Sequence, residues 1–282
     1  SEPEPYLNNR RIFCPRGKMI GGCSSHNGMV FVRGNPLDFE RWASYGLPKW
    51  SYKNVLPYFK KLETWSGGEN LYRGGKGPLK VNRSKIDEAF PLFKSLIKAA
   101  AEAGYDTFED SNGFKQDGFG TFDVTIDNGK RQGVSRAYLN EVKGYKNLLI
   151  EHNTDVSKII FKEKKAIGVE IRRDNNSEIY YCNKEIILSS GSINSPKILQ
   201  LSGIGDEKTL SQNGIDIINH LPGVGQNLQD HLEIYIQHKS KIKDTLYNLS
   251  TNYFTQAVEG IKWFLFKKGM LTYSHLEAGG FV

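Results

Sequence analysis

Arg16-Gly17-Lys18-Met19-Ile20-Gly21-Gly22-Cys23-Ser24-Ser25-His26-Asn27-Gly28-Met29-Val30 is the stretch on which the fold turns. Paired glycines followed by small hydroxyl residues let backbone N–H groups come close to a planar or anionic ligand. An ordinary loop has the same composition, so the stretch gains meaning only beside a second one. That second segment is Ile186-Ile187-Leu188-Ser189-Ser190-Gly191-Ser192-Ile193-Asn194-Ser195-Pro196, read as strand, glycine turn and helix start. Such an order aims a helix N-terminus at a phosphate or another anion. By itself it is equally an ordinary strand-to-helix connection.

The rest of the chain supports a folded protein. Its 282 residues suffice for one large domain or two ordinary ones. With 38% hydrophobic and 24% charged residues, a sizeable core is expected and disorder is not. The net charge of +7 comes from lysines scattered along the chain, among them Lys158, Lys162, Lys164 and Lys165. No zinc-finger, RRM or helix-turn-helix signature accompanies that charge, which argues against nucleic acid as a partner. Loose attraction to an anionic membrane surface fits it better. No apolar run approaches the ~18 residues of a membrane span. Cys14, Cys23 and Cys182 have no CxxC spacing, so neither a metal site nor a redox pair is expected. An odd, sparse count also argues against a disulfide framework.

Periodicity predicts a helix over residues 87–103, where Phe90, Phe93, Leu96, Ile97 and Ala100 recur at three- and four-residue steps before Gly104. Residues 148–150, 156–161, 166–172 and 178–182 read as strands, with Asp174-Asn175-Asn176 as a hairpin turn. Residues 185–189 read as a buried strand. Residues 195–201 read as a helix with Pro196 in its first turn. An aromatic-rich helix is expected over residues 254–266. No repeat or low-complexity linker marks a clean domain boundary.

Three long segments together carry a specific resemblance. Pro15 through Tyr58, with Arg33-Gly34-Asn35 and Trp50-Ser51-Tyr52, resembles the first signature of the glucose–methanol–choline oxidoreductases. Gly191 through Gly205 resembles the second signature. Leu221-Pro222-Gly223-Val224-Gly225-Gln226-Asn227-Leu228-Gln229-Asp230-His231 follows in the family's order. The resemblance covers essentially the whole chain. It implies a mixed α/β (α+β) protein: an FAD-binding Rossmann-like domain, incomplete here, with a substrate domain on an antiparallel sheet. Residues 1–65 would be the first part of the FAD domain with its flavin-contacting loop. Residues 66–145 would connect it and begin the substrate domain. Residues 146–235 would return to the FAD domain, and residues 236–282 would open the substrate-binding domain.

The same resemblance implies oxidation of an alcohol by hydride transfer to flavin N5, the cofactor carrying the redox chemistry while the protein positions it. Met19, Gly22, Cys23, Ser24, Met29 and Val30 would lie along the flavin and pyrophosphate, and Asn27 and Gly28 match the family's best-defined flavin contacts. Val156 matches a position whose backbone meets the adenine. Gly191 opens the second signature, and the two glycine turns are expected to serve one dinucleotide. His26 has two readings: covalent attachment to the flavin, as in the choline oxidases, or packing beside a flavin held noncovalently. His231 is expected to line the cofactor or serve structure, not act as a base.

Ser274-His275-Leu276-Glu277-Ala278-Gly279-Gly280-Phe281 resembles a segment of the choline-oxidising members. Its glutamate, Glu277, would face the substrate's trimethylammonium group, for which a buried carboxylate is a sensible partner. The alternative for Glu277 is a plain surface carboxylate. Choline is therefore the expected substrate, with a quinone-like electron acceptor at a bacterial or mitochondrial inner membrane. The alternatives are another alcohol, polyol or glucose oxidoreductase of the family, or a basic binding protein without catalysis. The family's Gly-x-Gly-x-x-Gly does not occur. A sequence that starts at Ser1 and lacks that motif reads as a piece of a longer protein. Its nucleotide-binding glycines and its base histidine are expected outside these residues, so no catalytic base is assigned.

Overall fold

The computed structural model describes all residues except 86–90, 175, 232, 240, 242–246 and 248–249. It divides into two compact units, Ser1–Leu148 with Lys239–Val282, and Leu149–His238. The described residues from Lys239 onward thus group with the N-terminal half of the chain.

In the first unit a four-stranded sheet carries the core. Its strands are β1 (Val30–Phe31), β2 (Glu63–Trp65), β3 (Leu79–Arg83) and, further on, β5 (Asp123–Val124), in the order β1-β5-β3-β2. The pair β2/β3 is parallel and the others antiparallel. Leu79 and Val81 alternate with half-buried and exposed neighbours along β3, the period-two pattern of a strand with one buried face. They pack with Ala137 against Phe31, Leu62 and Trp65.

Two helices lie between its first two strands, β1 and β2. In α1 (Pro36–Ser44) the Asn35 side chain accepts from Leu37 N at 2.9 Å and Pro36 takes the first turn. Both devices satisfy or remove amides that a helix start leaves unpaired. Its buried residue, Phe39, meets Phe59 of α2 (Tyr52–Leu62) edge-on at 5.6 Å.

The helix expected from residue 87 is α3 (Pro91–Glu102); Asp87 and Phe90 lie outside the described residues. Gly104 ends it at φ +87, with Tyr105 N bonded to Ala100 O as in a left-handed C-cap. Then β4 (Gly118–Thr121) leads into β5, and a short hairpin follows, β6 (Ile126–Asp127) with β7 (Lys130–Arg131).

In the second unit β8 (Asp155–Lys162), β9 (Lys165–Arg173) and β10 (Asn176–Tyr181) form the expected antiparallel meander. Asn175 of its second turn lies outside the described residues, while Asp174 sits at φ +51. Helix α4 (Gly191–Leu201) packs on β8, and Ser202 Oγ accepts from Ile159 N at 2.8 Å. A parallel pair, β11 (Ile204–Gly205) and β12 (Asn219–His220), flanks α5 (Glu207–Gln212).

Three expectations fail. Residues 148–150 and 185–189 are not strands, and Leu149 and Ile187 are 77% and 79% exposed. A strand's backbone groups need a neighbour, and no described strand pairs with either segment. Helix α4 starts at Gly191, not Ser195, so Pro196 lies inside it. Its missing N–H leaves the carbonyl four residues back without the usual bond. Ser195 Oγ instead accepts from Ser190 N at the helix entry.

The helix over residues 254–266 is present as α6 (Tyr253–Phe266), capped by Asn252. The last strand, β13 (Ala278–Phe281), pairs antiparallel with β4. Glycines make this pairing possible. A Cβ on Gly279 would come within 2.6 Å of the Phe122 ring, and one on Gly280 within 2.7 Å of Gly118 O.

Candidate functional site

The glycine–serine stretch forms a tight, largely exposed turn. Gly21 and Gly22 adopt φ +92 and +54, and a one-turn 3-10 helix spans Gly22–Ser25. Ser24 Oγ donates to Gly21 O at 2.6 Å and Ser25 Oγ to Ile20 O at 2.9 Å. A Cβ on Gly17 would collide with the backbone of Gly22 at 2.5 Å, because the chain doubles back upon itself. Asn27 N returns to Cys23 O at 2.9 Å, and Asn27 Oδ1 accepts from Met29 N. Met29 takes the left-handed conformation, φ +63, before Val30 enters β1. Met19, Cys23, His26, Asn27 and Gly28 are exposed; Gly22, Ser24, Met29 and Val30 are half-buried.

Arg131, which the sequence reading missed, holds this turn from behind. Its Nη1 donates to Asn27 O at 2.7 Å, Asn27 Oδ1 at 2.8 Å and Ser24 O at 3.2 Å. Val134 N adds a bond to Ser24 Oγ. Arg131 is a hundred residues away in sequence, so no local pattern announces it.

Glu277 is 1% exposed, not a surface carboxylate. Its Oε1 accepts from Ser274 N at 2.7 Å, His275 N at 3.1 Å and Ser274 Oγ at 3.2 Å. Its Oε2 is buried and has no hydrogen-bond partner among the described residues. Unpaired buried charge is costly, so an acceptor left in this state points to a missing counter-charge.

Glu277 lines a cavity of about 960 Å³ together with Tyr273, Thr272 and Phe266. Arg83, Lys85, Lys262, Lys267 and Lys268 also line the cavity. Arg83 pairs with Asp123, Lys262 with Glu259, and Lys267 lies over the Trp263 ring at 4.1 Å. Burial opposes ionisation of Glu259, but the Lys262 ammonium and the Met270 amide hold its carboxyl below the usual range.

One extended run brings the turn and Glu277 together. Phe122 N donates to Glu277 O and Thr125 N to Met29 O, both at 2.8 Å, from either end of β5. Leu276 is also the side chain that a Cβ on Gly28 would strike, at 2.9 Å.

Behind β5 lies a buried ionic cluster without any sequence forewarning. Arg73, fully buried, forks onto Glu63 (Nε–Oε1 2.8 Å, Nη2–Oε2 3.1 Å) and reaches Asp110 at 2.8 Å and Asp123 at 2.6 Å. Arg33 of the first signature shares Glu63 at 2.8 Å. Burial pushes the Arg33 guanidinium down, only partly offset by that shared carboxylate. Burial also opposes the Arg73 charge, but three carboxylates outweigh it and raise its pKa.

Val156 and Gly191 belong to the second unit. Val156 is the second residue of β8, opposite Ile171 and beside a register shift. Gly191, exposed at φ +85, opens α4. His231 is exposed there, its backbone N bonded to Asp230 Oδ1.

With the geometry in place, comparison with known proteins decides the family. The family model described as GMC oxidoreductase matches residues 5–233. The chain belongs to the GMC oxidoreductase family. Proteins named oxygen-dependent choline dehydrogenase are similar throughout the chain: that of Staphylococcus xylosus is 45% identical over 99% of it, and that of Brucella ovis 44% identical over 100% of it. The chain spans about half the length of these curated relatives, 50% and 51%. An FAD-dependent oxidoreductase from Chaetomium thermophilum matches 97% of the chain and 50% of its own at TM-score 0.89 and 34% identity. The fold is therefore that of one half of a flavin-dependent GMC oxidoreductase, mixed α/β with antiparallel sheets.

The residues present fit a flavin. A GMC cofactor is planar, and the turn offers it small side chains, exposed backbone and one exposed imidazole. Arg131 bonds the Ser24 and Asn27 carbonyls of that turn. Among the described residues no group of three His, Cys, Asp or Glu could hold a metal ion. None of the described helices is long and apolar enough to cross a membrane.

Proposed function

We propose that the full-length protein oxidises choline to betaine aldehyde as an FAD-dependent dehydrogenase, in the direction of glycine betaine synthesis. The observation that carries this reading is Glu277, buried, fixed through Oε1 and unpartnered at Oε2. A quaternary ammonium supplies positive charge without a hydrogen-bond donor, which matches a buried carboxylate oxygen that no donor among the described residues bonds. Lysine or arginine would satisfy it too, and five such residues line the cavity, but Arg83, Lys262 and Lys267 are engaged with Asp123, Glu259 and Trp263, and none of the five is bonded to Oε2. Tyr273 and Phe266 provide aromatic surface on the same cavity, where cation–π attraction can add to the carboxylate's.

FAD, when bound, accepts the substrate hydride at N5. The turn from Met19 to Val30 would hold it through backbone groups, with His26, Asn27 and Gly28 among the residues that would contact it. Glu277 holds the far end of the substrate, and the Leu276–Gly28 contact sets that end relative to the turn. The electrons then leave to a quinone-like acceptor, with the net positive chain resting at an anionic membrane face. The relatives' names favour oxygen as a second reading of the acceptor, and oxygen uptake with and without added quinone separates the two.

The test compares choline with its neutral isostere, in which a tert-butyl carbon replaces the trimethylammonium nitrogen. In the full-length holoenzyme Glu277→Gln should raise KM for choline about tenfold or more, equivalent to ~1.4 kcal/mol or above. KM for the isostere should not move. Equal effects on both substrates would remove the cation-binding role, and with it the choline assignment.

A further inference from the structure

The four residues that carry Glu277 form a device usually found at helix starts. In a capping box a Ser or Thr precedes a Glu by three positions, the Glu side chain returning to the Ser backbone amide. Here Glu277 Oε1 accepts from Ser274 N at 2.7 Å, and Ser274 Oγ accepts from Leu276 N at 3.1 Å. No helix follows, for Ala278 enters strand β13. His275 makes the reversal at φ +67, outside the region most side chains occupy. A local structure that stabilises helices elsewhere is thus spent on orienting one buried carboxylate.

All three donors act on the same oxygen. Two of them are backbone amides and would survive most substitutions; the third is the Ser274 hydroxyl, at 3.2 Å. Ser274 therefore both ties the turn together, through Leu276 N, and pins Oε1, while Oε2 has no hydrogen-bond partner among the described residues. Leu276, at the middle of the turn, abuts Gly28 of the cofactor turn.

We propose that Ser274 is a positioning residue for recognition of a quaternary ammonium, holding Glu277 so that Oε2 bears the uncompensated charge. This rests on the reading above that Glu277 faces the cation. It goes further in assigning the geometry to a hydroxyl that touches neither substrate nor cofactor.

The experiment uses full-length holoenzyme, choline and the neutral tert-butyl isostere. Ser274→Ala should raise KM for choline about fivefold with kcat within about twofold, and leave KM for the isostere unchanged. Ser274→Thr, which keeps the hydroxyl, should restore the choline KM. In a Glu277→Gln background Ser274→Ala should have no further effect on choline, since the charge it positions is gone. A Ser274→Ala enzyme that loses affinity for both substrates alike would show a merely structural residue and overturn the proposal. So would a wild-type choline KM in Ser274→Ala while Glu277→Gln still discriminates. If neither variant discriminates the two substrates, the cation reading itself fails and this one with it.

Discussion

Replacing Arg73 by Met should cost about 3–5 kcal/mol of stability, and the structure shows where that loss arises. Three arginines (33, 73 and 83) face three carboxylates (Glu63, Asp110 and Asp123), so the cluster is balanced as it stands. Without Arg73, two cations remain for three anions, and Glu63 and Asp123, essentially fully buried, each lose one of two arginine partners held at equal distance. Removing one member of a buried ion pair costs roughly 3–5 kcal/mol because the other is left uncompensated. Arg73 also stacks on Trp65 at 4.3 Å, a contact worth about 0.5–2 kcal/mol. Freedom from burying a guanidinium offsets part of the sum. Against a total stability of about 5–15 kcal/mol this is a severe lesion.

Denaturant unfolding followed by Trp fluorescence measures it, since Trp65 reports on the cluster directly. Arg73→Lys keeps the charge but not the fork onto Glu63, so its loss should be smaller, about 2 kcal/mol. The consequence reaches the site through Asp123, which belongs to β5. The amides on either side of that strand hold Glu277 and Met29. An Arg73→Met protein within about 1 kcal/mol of wild type would refute the view that these charges depend on one another.

Two further outcomes follow from single side chains. Arg131→Ala should weaken FAD binding by the full-length protein about tenfold, ~1.4 kcal/mol, with unchanged circular dichroism, because the Ser24 and Asn27 carbonyls lose their common donor; a dissociation constant within about twofold of wild type would refute it. Asp206 caps α5, and the Thr209 amide and hydroxyl hold its carboxyl below the usual range. A depressed folded pKa means stability that is present above the ordinary carboxyl value of ~4 and fades as pH falls through the folded one. Asp206→Asn should therefore narrow the drop in thermal midpoint between about pH 6 and pH 3, and an unchanged drop would exclude the cap as its source.

Elements that form from their own residues were legible in the sequence. The spacing of Phe93, Leu96, Ile97 and Ala100 yields α3, and the turn residues around position 174 yield the meander. The apolar runs at 148–150 and 185–189 misled, because a short run says only that a strand could form, while pairing decides whether it does. At the candidate site, the motif singles out Glu277, and Ser-x-x-Glu is a local signal that points to Ser274 as well. Arg73 and Arg131 could not. Arg73 meets its partners at separations of 10, 37 and 50 residues, and only the folded sheet brings them together.

That difference explains what a family signature records. Gly279 and Gly280 follow Glu277 in the motif, yet neither touches a charge; each is needed because β13 lies too close to Phe122 and to Gly118 O for a side chain. The glycines let β13 pair with β4, and that pairing continues into the bond from Phe122 N to Glu277 O. The carboxylate is thereby delivered to the same strand run that holds Met29. The motif is a packing instruction with one functional group attached, and its chemistry is only as well placed as its glycines allow. A larger residue at Gly279 should therefore damage substrate recognition without altering a single polar atom of the site.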